Sequence, residues 1–304
     1  MTSLFDRVIS YHQNIHTCGV ARFNRGVADY LDVEVSKISE VADSDCDHPL
    51  VSIKKSEMSD FDFAQLHLQL LSRKKPFSLI FHDFSNSVPE HDLLNKAKNV
   101  MALNREMQQT LTSSRSDVIL GFAPGSNPRP ANEKEADLRL ITFGMAHKIN
   151  ASGYATIGQL LRQSERTYRL EISSALHEGT QFDDDFFSIG NEISQCFGGN
   201  VDFLGFLADG EVSRRLSSAH AMLAFFPKGA RENNTSVLGA MAHGLAVITN
   251  LDQLSPPWMK HGETVFEVDQ LNEFPSNDLL VAVGRNGNEA VRELTYATLL
   301  ARFS

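Results

Sequence analysis

A polar loop that runs into a helix of small residues is the segment of this sequence with the clearest chemical potential. Residues 225–236 read FFPKGARENNTS, so an apolar strand there gives way to amide and hydroxyl side chains. A helix N-terminus offers unpaired backbone N–H groups and the positive end of the helix dipole. We expect Asn234, Thr235 and Ser236 to lie where a diphosphate would bind, with Arg231 adding paired hydrogen bonds. The structural alternative is a capped helix beside a solvated arginine.

Three residues after predicted strands extend this interpretation. Gly19 and Gly144 each stand near a strand end, where a glycine lets the backbone approach a ligand closely. Lys148 follows Gly144 and is expected to reach a β-phosphate as a mobile point charge. Each has a plain alternative, because strand–helix turns favour glycine for their own geometry and Lys148 is equally an ordinary surface lysine.

His82 and Asp83 form a second candidate, at the end of the predicted strand 77–81. A histidine there can hydrogen-bond a sugar hydroxyl or assist proton transfer. Asp83 is expected to orient the imidazole, although adjacent strand residues point to opposite faces. The alternative is a polar pair that satisfies local backbone groups.

Other polar clusters do not carry chemistry in this interpretation. The acidic runs 43–45 (DSD) and 183–185 (DDD) follow no buried strand and are expected to be solvated loops. His12 and His16 flank the Gly19 turn and are expected to line a cleft or be solvated. The eleven histidines show no paired spacing typical of zinc, so no metal site is predicted. A Walker loop and a G-x-G-x-x-G fingerprint are both missing, which disfavours ATPases and NAD dehydrogenases.

Apolar runs alternate with helical periodicity along most of the chain. Strands are predicted near residues 8–11, 33–35, 77–81, 99–103, 117–122, 138–143, 168–172, 201–204, 220–226 and 246–249. Helices are predicted near residues 21–31, 60–71, 155–162, 211–218 and 237–243, and residues 91–111 are helix-prone around the strand at 99–103. The alternation predicts parallel sheets covered on both faces, in which ligands bind at the carboxyl ends of strands. Residues 126–135 (SNPRPANEKE) are the predicted linker between two lobes.

Composition sets limits on the class of protein. The 304 residues are 42% hydrophobic and 22% charged, which is ordinary for a globular protein. The net charge of −10 argues against nucleic-acid or general anionic-membrane binding. No signal peptide or spanning segment is predicted, and three scattered cysteines suit a reduced compartment, so a cytoplasmic location is expected.

Residues 239–248 (GAMAHGLAVI) resemble the donor-binding signature of the GT-B glycosyltransferases, particularly the group of family-four retaining enzymes, which reads roughly E-A-M-A-x-G-x-P-V-I. Further segments are similar to family motifs in the expected order. They are the Gly loop at 18–22 (CGVAR), the strand-end histidine motif at 80–84 (IFHDF), the loop before the linker at 123–125 (APG), the first donor-lobe loop at 143–148 (FGMAHK) and the stretch before the base pocket at 203–206 (FLGF). The resemblance covers roughly residues 8–250.

The chain departs from the family at two positions. The family's pair of glutamates would fall at positions 231 and 239, which are Arg231 and Gly239 here. In the family, the second glutamate usually holds the nucleotide ribose and the first lies near the donor sugar. The departure leaves open the choice of nucleotide, the retaining or inverting outcome, and the possibility of binding without catalysis.

The resemblance implies an α/β fold with two Rossmann-like lobes facing across a cleft. The expected domains are an acceptor-side domain over 1–130, a nucleotide-sugar-binding domain over 131–285, and a C-terminal helix over 286–304 that packs back on the first. The implied activity is metal-independent transfer of a sugar from a nucleoside-diphosphate sugar to an acceptor, with no cofactor. The implied sites are catalytic His82 and Asp83, and donor-binding Gly19, Gly144, Lys148, Phe206, Arg231, Asn234, Thr235 and Ser236.

The expected partners are a nucleotide-sugar and an acceptor, without nucleic acid, and with peripheral membrane contact if the acceptor is lipid-linked. The sequence leaves the oligomeric state open. Two alternatives to sugar transfer also stay open: a nucleotide-sugar 2-epimerase of the same architecture, and a nucleotide-sugar-binding module without activity.

Overall fold

The computed structural model describes residues 4–16, 18–42, 46–124, 137–145, 151–175 and 184–303. The chain divides into two compact units, of which the first comprises residues 1–124 and 294–304 and the second residues 125–293. The acidic run 43–45, the linker 126–135 and Asp183 lie outside the described residues. Each unit is built on one six-stranded sheet.

The first sheet is parallel and has the order β2-β1-β3-β4-β5-β6. Its strands are β1 (Arg7–Ser10), β2 (Val35–Ser36), β3 (Pro49–Ile53), β4 (Ser78–Phe81), β5 (Val100–Ala102) and β6 (Ile119–Leu120). The helices of this unit are α1 (Gly19–Leu31), α2 (Asp60–Ser72), α3 (Val88–Lys96), α4 (Arg105–Thr112) and α10 (Tyr296–Leu300). The strand order reverses between β1 and β3, where doubly wound sheets open a binding crevice.

Successive residues of the first sheet enter separate cores, because neighbouring strand residues point to opposite faces. Ile9 and Val51 belong to a core with side chains from α2, α3 and α4. Val8 and Leu50 belong to a second core with side chains from α1 and α10. The sheet is therefore covered on both faces, as the near-continuous apolar strands require.

The second sheet is also parallel, with the order β12-β11-β10-β7-β8-β9. Its strands are β7 (Leu138–Met145), β8 (Tyr168–Ala175), β9 (Val201–Phe203), β10 (Ala221–Ala224), β11 (Ala246–Thr249) and β12 (Phe266–Glu267). Its helices are α5 (Ser152–Gln163), α6 (Asp184–Cys196), α7 (Asp209–Ser218), α8 (Thr235–Ala242) and α9 (Asn277–Val291). Counted within this unit, the order is that of a dinucleotide-binding Rossmann fold, with its switch point between β7 and β10.

Side-chain caps fix the beginnings of several helices. Ser59 accepts a hydrogen bond from Asp62 N at the start of α2, Asn104 accepts from Met107 N at α4, and Ser276 accepts from Leu279 N at α9. Ser87 and Glu90 form a capping box at α3. These caps satisfy amides that have no intrahelical partner.

The predicted α/β class with two Rossmann-like units is confirmed. Among the strands and α-helices, β3, α6, β12 and α9 were missed. The segment 117–122, predicted as one strand, contributes only Ile119–Leu120 to the sheet. Residues 286–304, predicted as a single helix, contain the end of α9, the separate helix α10 and a 3-10 turn, because Thr295 caps a new helix.

Candidate functional site

The loop after β10 is fastened to the loop after β11 through one asparagine. Asn250 Oδ1 accepts a hydrogen bond from Phe226 N at 2.9 Å, and its Nδ2 donates to Phe226 O at 2.9 Å. Ala230 N donates to Asn250 O at 2.9 Å. The polar loop predicted as a ligand site is therefore held in one shape at the switch point, where such sheets bind ligands.

The buried side chain of Arg231 stabilises the same loop. Its side chain is 8% exposed, and its two terminal nitrogens donate to the two carboxylate oxygens of Asp252, each at 2.8 Å. The guanidinium also donates to Gly229 O at 2.8 Å. Burial raises the pKa of Asp252, but hydrogen bonds from Arg231, Leu254 N and Gly229 N outweigh it and lower that pKa to about 2. These contacts give Arg231 a structural role, and its predicted contact with a diphosphate stays a prediction.

Helix α8 begins at this loop, with Asn234 as the N-cap residue. Asn234 Oδ1 accepts from Arg231 N at 2.6 Å, so its side chain shapes the loop and does not cap the helix. Thr235 is exposed and Ser236 half-buried at the first turn. No described residue accepts a hydrogen bond from the amides of Ser236 or Val237. The first turn of α8 therefore presents backbone donors and a hydroxyl group in one place, as an anion site requires.

Two further predicted residues lie at the carboxyl edge of the second sheet. Gly144 is the next-to-last residue of β7, and an added Cβ there would meet no atom of the described residues within 4 Å. Phe206 follows β9, and its side chain is 53% exposed. Gly144 is thus not required by packing, and Phe206 offers an aromatic face that the core does not use. Lys148 lies outside the described residues.

Glu232 is a residue of this loop that the sequence analysis missed. It stands one position after Arg231, where the resemblance expects a glutamate, and it is only 5% exposed. Carboxylates are seldom buried unless they are paired, so Glu232 belongs to the internal structure of this loop. The sequence signal that could have identified Glu232 is its place one position after the glutamate of the family pattern.

His82 lies at the carboxyl edge of the first sheet, directly after β4. Its Nε2 is 2.8 Å from Ser52 Oγ at the end of β3, and its ring packs edge-to-face on Phe23. The imidazole is half-buried. The strand ends therefore hold the ring in a fixed orientation, which suits a residue that binds or deprotonates a hydroxyl group.

Asp83 is predicted to orient the imidazole of His82, but in the structure its carboxylate binds the turn after β3. Its carboxylate accepts hydrogen bonds from Lys55 N at 2.7 Å, from Ser56 N at 3.0 Å and from Ser56 Oγ. It therefore caps the 3-10 turn Lys55–Glu57 after β3. For Asp83, these contacts match the alternative in which the side chain satisfies local backbone groups, and its catalytic role stays a prediction.

The turn after β1 brings Gly19 to the start of α1. Gly19 is exposed, and among the described residues no atom lies within 4 Å of the position that an added Cβ would take. His12 was expected to line a cleft or be solvated, but it is 8% exposed, whereas His16 is exposed. Within the described residues, His12, Cys18 and Glu57 form the group whose side chains could hold a metal ion.

A cavity of about 560 Å³ lies at the other edge of the second sheet, where β7, β8 and β9 begin. Two of its arginines are already engaged, since Arg169 pairs with Asp202 across the cavity and Arg166 donates to Asn277 outside it. It lies away from the carboxyl ends of the strands, where this fold places ligands. We therefore place the candidate site at the carboxyl edge.

Comparison with solved structures finds the same architecture in glycosyltransferases. A glycosyltransferase from Rickettsia africae ESF-5 matches with a TM-score of 0.69 at 12% identity, over 99% of this chain and 97% of the other. AviGT4, a glycosyltransferase involved in avilamycin A biosynthesis, matches with a TM-score of 0.59 at 15% identity, over 98% and 96%. TarM matches with a TM-score of 0.62 at 10% identity over 84% of this chain but 53% of its own, so the chain spans about half the length of TarM.

By sequence, no protein-family model and no curated protein matches the chain. At these identities the structural matches show the fold, which is GT-B. Across the described helices, none has the length and apolarity needed to cross a bilayer.

Proposed function

We propose that this protein transfers a sugar from a nucleoside-diphosphate sugar to an acceptor. The observation that carries the proposal is the first turn of α8, whose amides at Ser236 and Val237 are unengaged at the switch point of a Rossmann-ordered sheet. In a GT-B fold, this is where a leaving diphosphate would gain negative charge. Preorganised donors at a site of developing charge are a large source of rate enhancement.

The donor-binding residues are assigned by their places on the second sheet. The amides of Ser236 and Val237 and the hydroxyl groups of Thr235 and Ser236 hold the diphosphate, with Asn234 shaping the turn that presents them. Gly144 leaves room for the donor at the end of β7, and the exposed ring of Phe206 stacks on the base. We keep Lys148 in this set as the mobile cation for the β-phosphate.

Arg231 supports the diphosphate site indirectly in this proposal. Its pairing with Asp252 fixes the loop that leads into α8, so the amides are aligned before the donor arrives. Backbone donors of this kind need no metal ion at the diphosphate, which is the basis for proposing metal-independent transfer.

The acceptor is assigned to the first unit, near Gly19 and His82. His82 acts there as the group that binds or deprotonates the acceptor hydroxyl, since Ser52 fixes its ring. Asp83 acts through the turn that it caps, Lys55–Glu57.

A binding module without turnover is the second candidate, and the engagement of Arg231 by Asp252 favours it. Both glutamates of the family pattern are replaced in this chain, and Arg231 of the described loop is paired with Asp252. This candidate predicts donor binding without release of nucleoside diphosphate.

One experiment separates the candidates. A thermal-shift screen with UDP, GDP and ADP and their sugar conjugates identifies the ligand, and the positive donors are then incubated with and without acceptors. Acceptor-dependent release of nucleoside diphosphate supports transfer, net isomerisation of the donor alone identifies an epimerase, and stabilisation without turnover identifies a binding module. Failure of every nucleotide to bind would defeat the proposal.

A further inference from the structure

Three side chains with different metal-ligating atoms meet at the carboxyl edge of the first sheet. The ring nitrogen of His12, the thiol sulfur of Cys18 and a carboxylate oxygen of Glu57 lie within 4.8 Å of one another. His12 and Cys18 are 8% and 2% exposed, and the side chain of Glu57 is 17% exposed. An imidazole, a thiol and a carboxylate so closely grouped are a donor set that Zn²⁺ prefers.

The fold assembles this group from three separate segments. His12 follows β1, Cys18 is the N-cap residue of α1, and Glu57 ends the 3-10 turn after β3. Because β1 and β3 are hydrogen-bonded neighbours, their carboxyl ends lie side by side. This is also the point where the strand order reverses, so the group lies where the fold forms a binding crevice.

The two oxygens of Glu57 face different partners. Oε2 lies 3.4 Å from His12 Nε2, and Oε1 contacts Lys54 Nζ. An ion bound between Oε2 and Nε2 would thus leave Lys54 holding the other oxygen. Such an outer partner fixes the orientation of a ligating carboxylate.

The distances are close to those of a coordinated ion. Zinc bonds of about 2.0–2.3 Å place tetrahedral ligand atoms about 3.3–3.8 Å apart. A group within 4.8 Å therefore needs to contract by at most about 1.0–1.5 Å, which side-chain rotations can supply.

We propose that His12, Cys18 and Glu57 form a Zn²⁺ site that ties the loop after β1 to the turn after β3. Cys18 binds as the thiolate and its proton is released to solvent, while a water molecule occupies the fourth position. The role of the ion is to fix the segment 11–18, which leads to Gly19. None of the residues assigned above to diphosphate binding contributes to this site, so the proposal is independent of the transfer chemistry.

The first test measures metal in the full-length protein. Protein produced in zinc-supplemented medium, and passed over a desalting column, should carry about one zinc per chain by plasma mass spectrometry. Replacement of zinc by Co²⁺ should give a thiolate-to-cobalt charge-transfer band. Cys18→Ser should abolish that band, whereas Cys46→Ser, which changes a buried cysteine of the same unit, should leave it unchanged.

Further variants test the other ligands. His12→Gln and Glu57→Gln should each weaken zinc binding by more than the roughly 10–100-fold that changing an outer partner causes, and Lys54→Met should fall within that range. His16→Gln, which changes an exposed histidine of the same loop, should bind as the wild type does. Circular dichroism of each variant without metal shows whether it is folded.

Zinc should also raise the thermal midpoint of the wild type and not that of Cys18→Ser, because an ion that binds only the folded chain stabilises it. Folded wild-type protein that takes up neither zinc nor Co²⁺ would overturn the proposal. Zinc that remains, with an unchanged cobalt spectrum, in the Cys18→Ser variant would do so as well, since the ion would then lie elsewhere.

Discussion

The guanidinium of Arg231 and the carboxylate of Asp252 face each other through two hydrogen bonds of 2.8 Å each, joining the loop before α8 to the loop after β11. Planar pairing of this kind fixes geometry as well as charge. The residue that the sequence marks as a phosphate ligand is therefore part of the structure that aligns the site.

Arg231→Ala should lower the free energy of unfolding by about 1.5–3 kcal/mol, because it removes hydrogen bonds to a charged group. Asp252→Asn should cost less, since the amide can still accept one of the two bonds. The double variant should lose less than the sum of the single losses, as expected for residues in direct contact. Urea unfolding measures all three. Strict additivity would contradict the pairing.

Measuring donor affinity in the same variants tests whether Arg231 aligns the α8 amides or contacts the ligand directly. If Arg231 aligns the α8 amides, both Arg231→Ala and Asp252→Asn should weaken nucleotide binding and lower turnover, by about a hundredfold where a transition-state donor is displaced. Arg231→Lys keeps the positive charge but cannot make the paired hydrogen bonds to Asp252, so it should resemble the alanine variant. Calorimetric titration with the nucleotide found by screening gives the affinities. Full affinity in Asp252→Asn with loss only in Arg231→Ala would show direct contact with the ligand.

The Asp252 carboxyl should make stability depend on pH in the acid range. Its pKa is about 2 in the folded chain, below the unfolded value of about 3.9. The stabilisation is therefore complete above about pH 4 and is lost as the pH falls toward 2. The difference in unfolding free energy between the wild type and Asp252→Asn should shrink over that window. A difference that stays constant between pH 5 and pH 2 would contradict this assignment.

Gly144→Val tests whether the open space beside Gly144 serves donor binding and not core packing. The Cβ position is open, and a branched residue suits a strand, so the unfolding free energy should not fall. Nucleotide affinity should fall because the added side chain occupies the space assigned to the donor.

Gly158→Ala is the matched control, because its Cβ would lie 2.3 Å from Cys196 O. It should destabilise the second unit. Equal nucleotide affinity in Gly144→Val and the wild type would remove Gly144 from the site.

His82→Gln should slow transfer by about 10²–10⁴-fold if the imidazole takes the acceptor proton. The donor affinity should not change, because His82 belongs to the first unit and the assigned donor residues belong to the second. Initial rates over a range of acceptor and donor concentrations measure both quantities. His67→Gln, which alters a histidine paired with Asp92, should retain wild-type rates. Loss of activity in both variants to the same extent would indicate a general structural effect.

The C-terminal helix gives a test of the first core. Leu299 is fully buried, and Leu299→Ala should cost about 2–5 kcal/mol. Leu279, which is 53% exposed at the start of α9, is the control, and Leu279→Ala should change stability by less than about 0.5 kcal/mol. Equal effects in chemical denaturation would contradict the packing described for α10.

Local patterns in the sequence were enough for the fold class and for the polar loop before α8, since both depend on short-range periodicity. Strand β3 was missed because it begins with a proline after a polar, acidic stretch, although a proline is tolerated at the first position of a strand. Helix α9 was missed because glycines interrupt its apolar pattern. Gly284 lets the helix approach Gly244 closely, since a Cβ on Gly284 would lie 2.2 Å from the Gly244 carbonyl oxygen.

The partners of the site residues were harder to predict, because they come from distant parts of the chain. Asp252 meets Arg231 only after β11 has paired with β10. Glu57 joins His12 and Cys18 only because β3 lies beside β1. Since β3 was not predicted, nothing in the sequence pattern could bring that carboxylate to the other two ligands.

The position of α10 determines the order in which the parts of the first unit's core are synthesised. Phe5 and Val8 pack with Leu299, Leu300 and Phe303, and the whole of residues 125–293 lies between them in the chain. During synthesis, the ribosome must therefore deliver the second unit before the first can close its apolar face. The early segment is therefore synthesised with that apolar surface uncovered, and transiently exposed surface of this kind promotes self-association during folding.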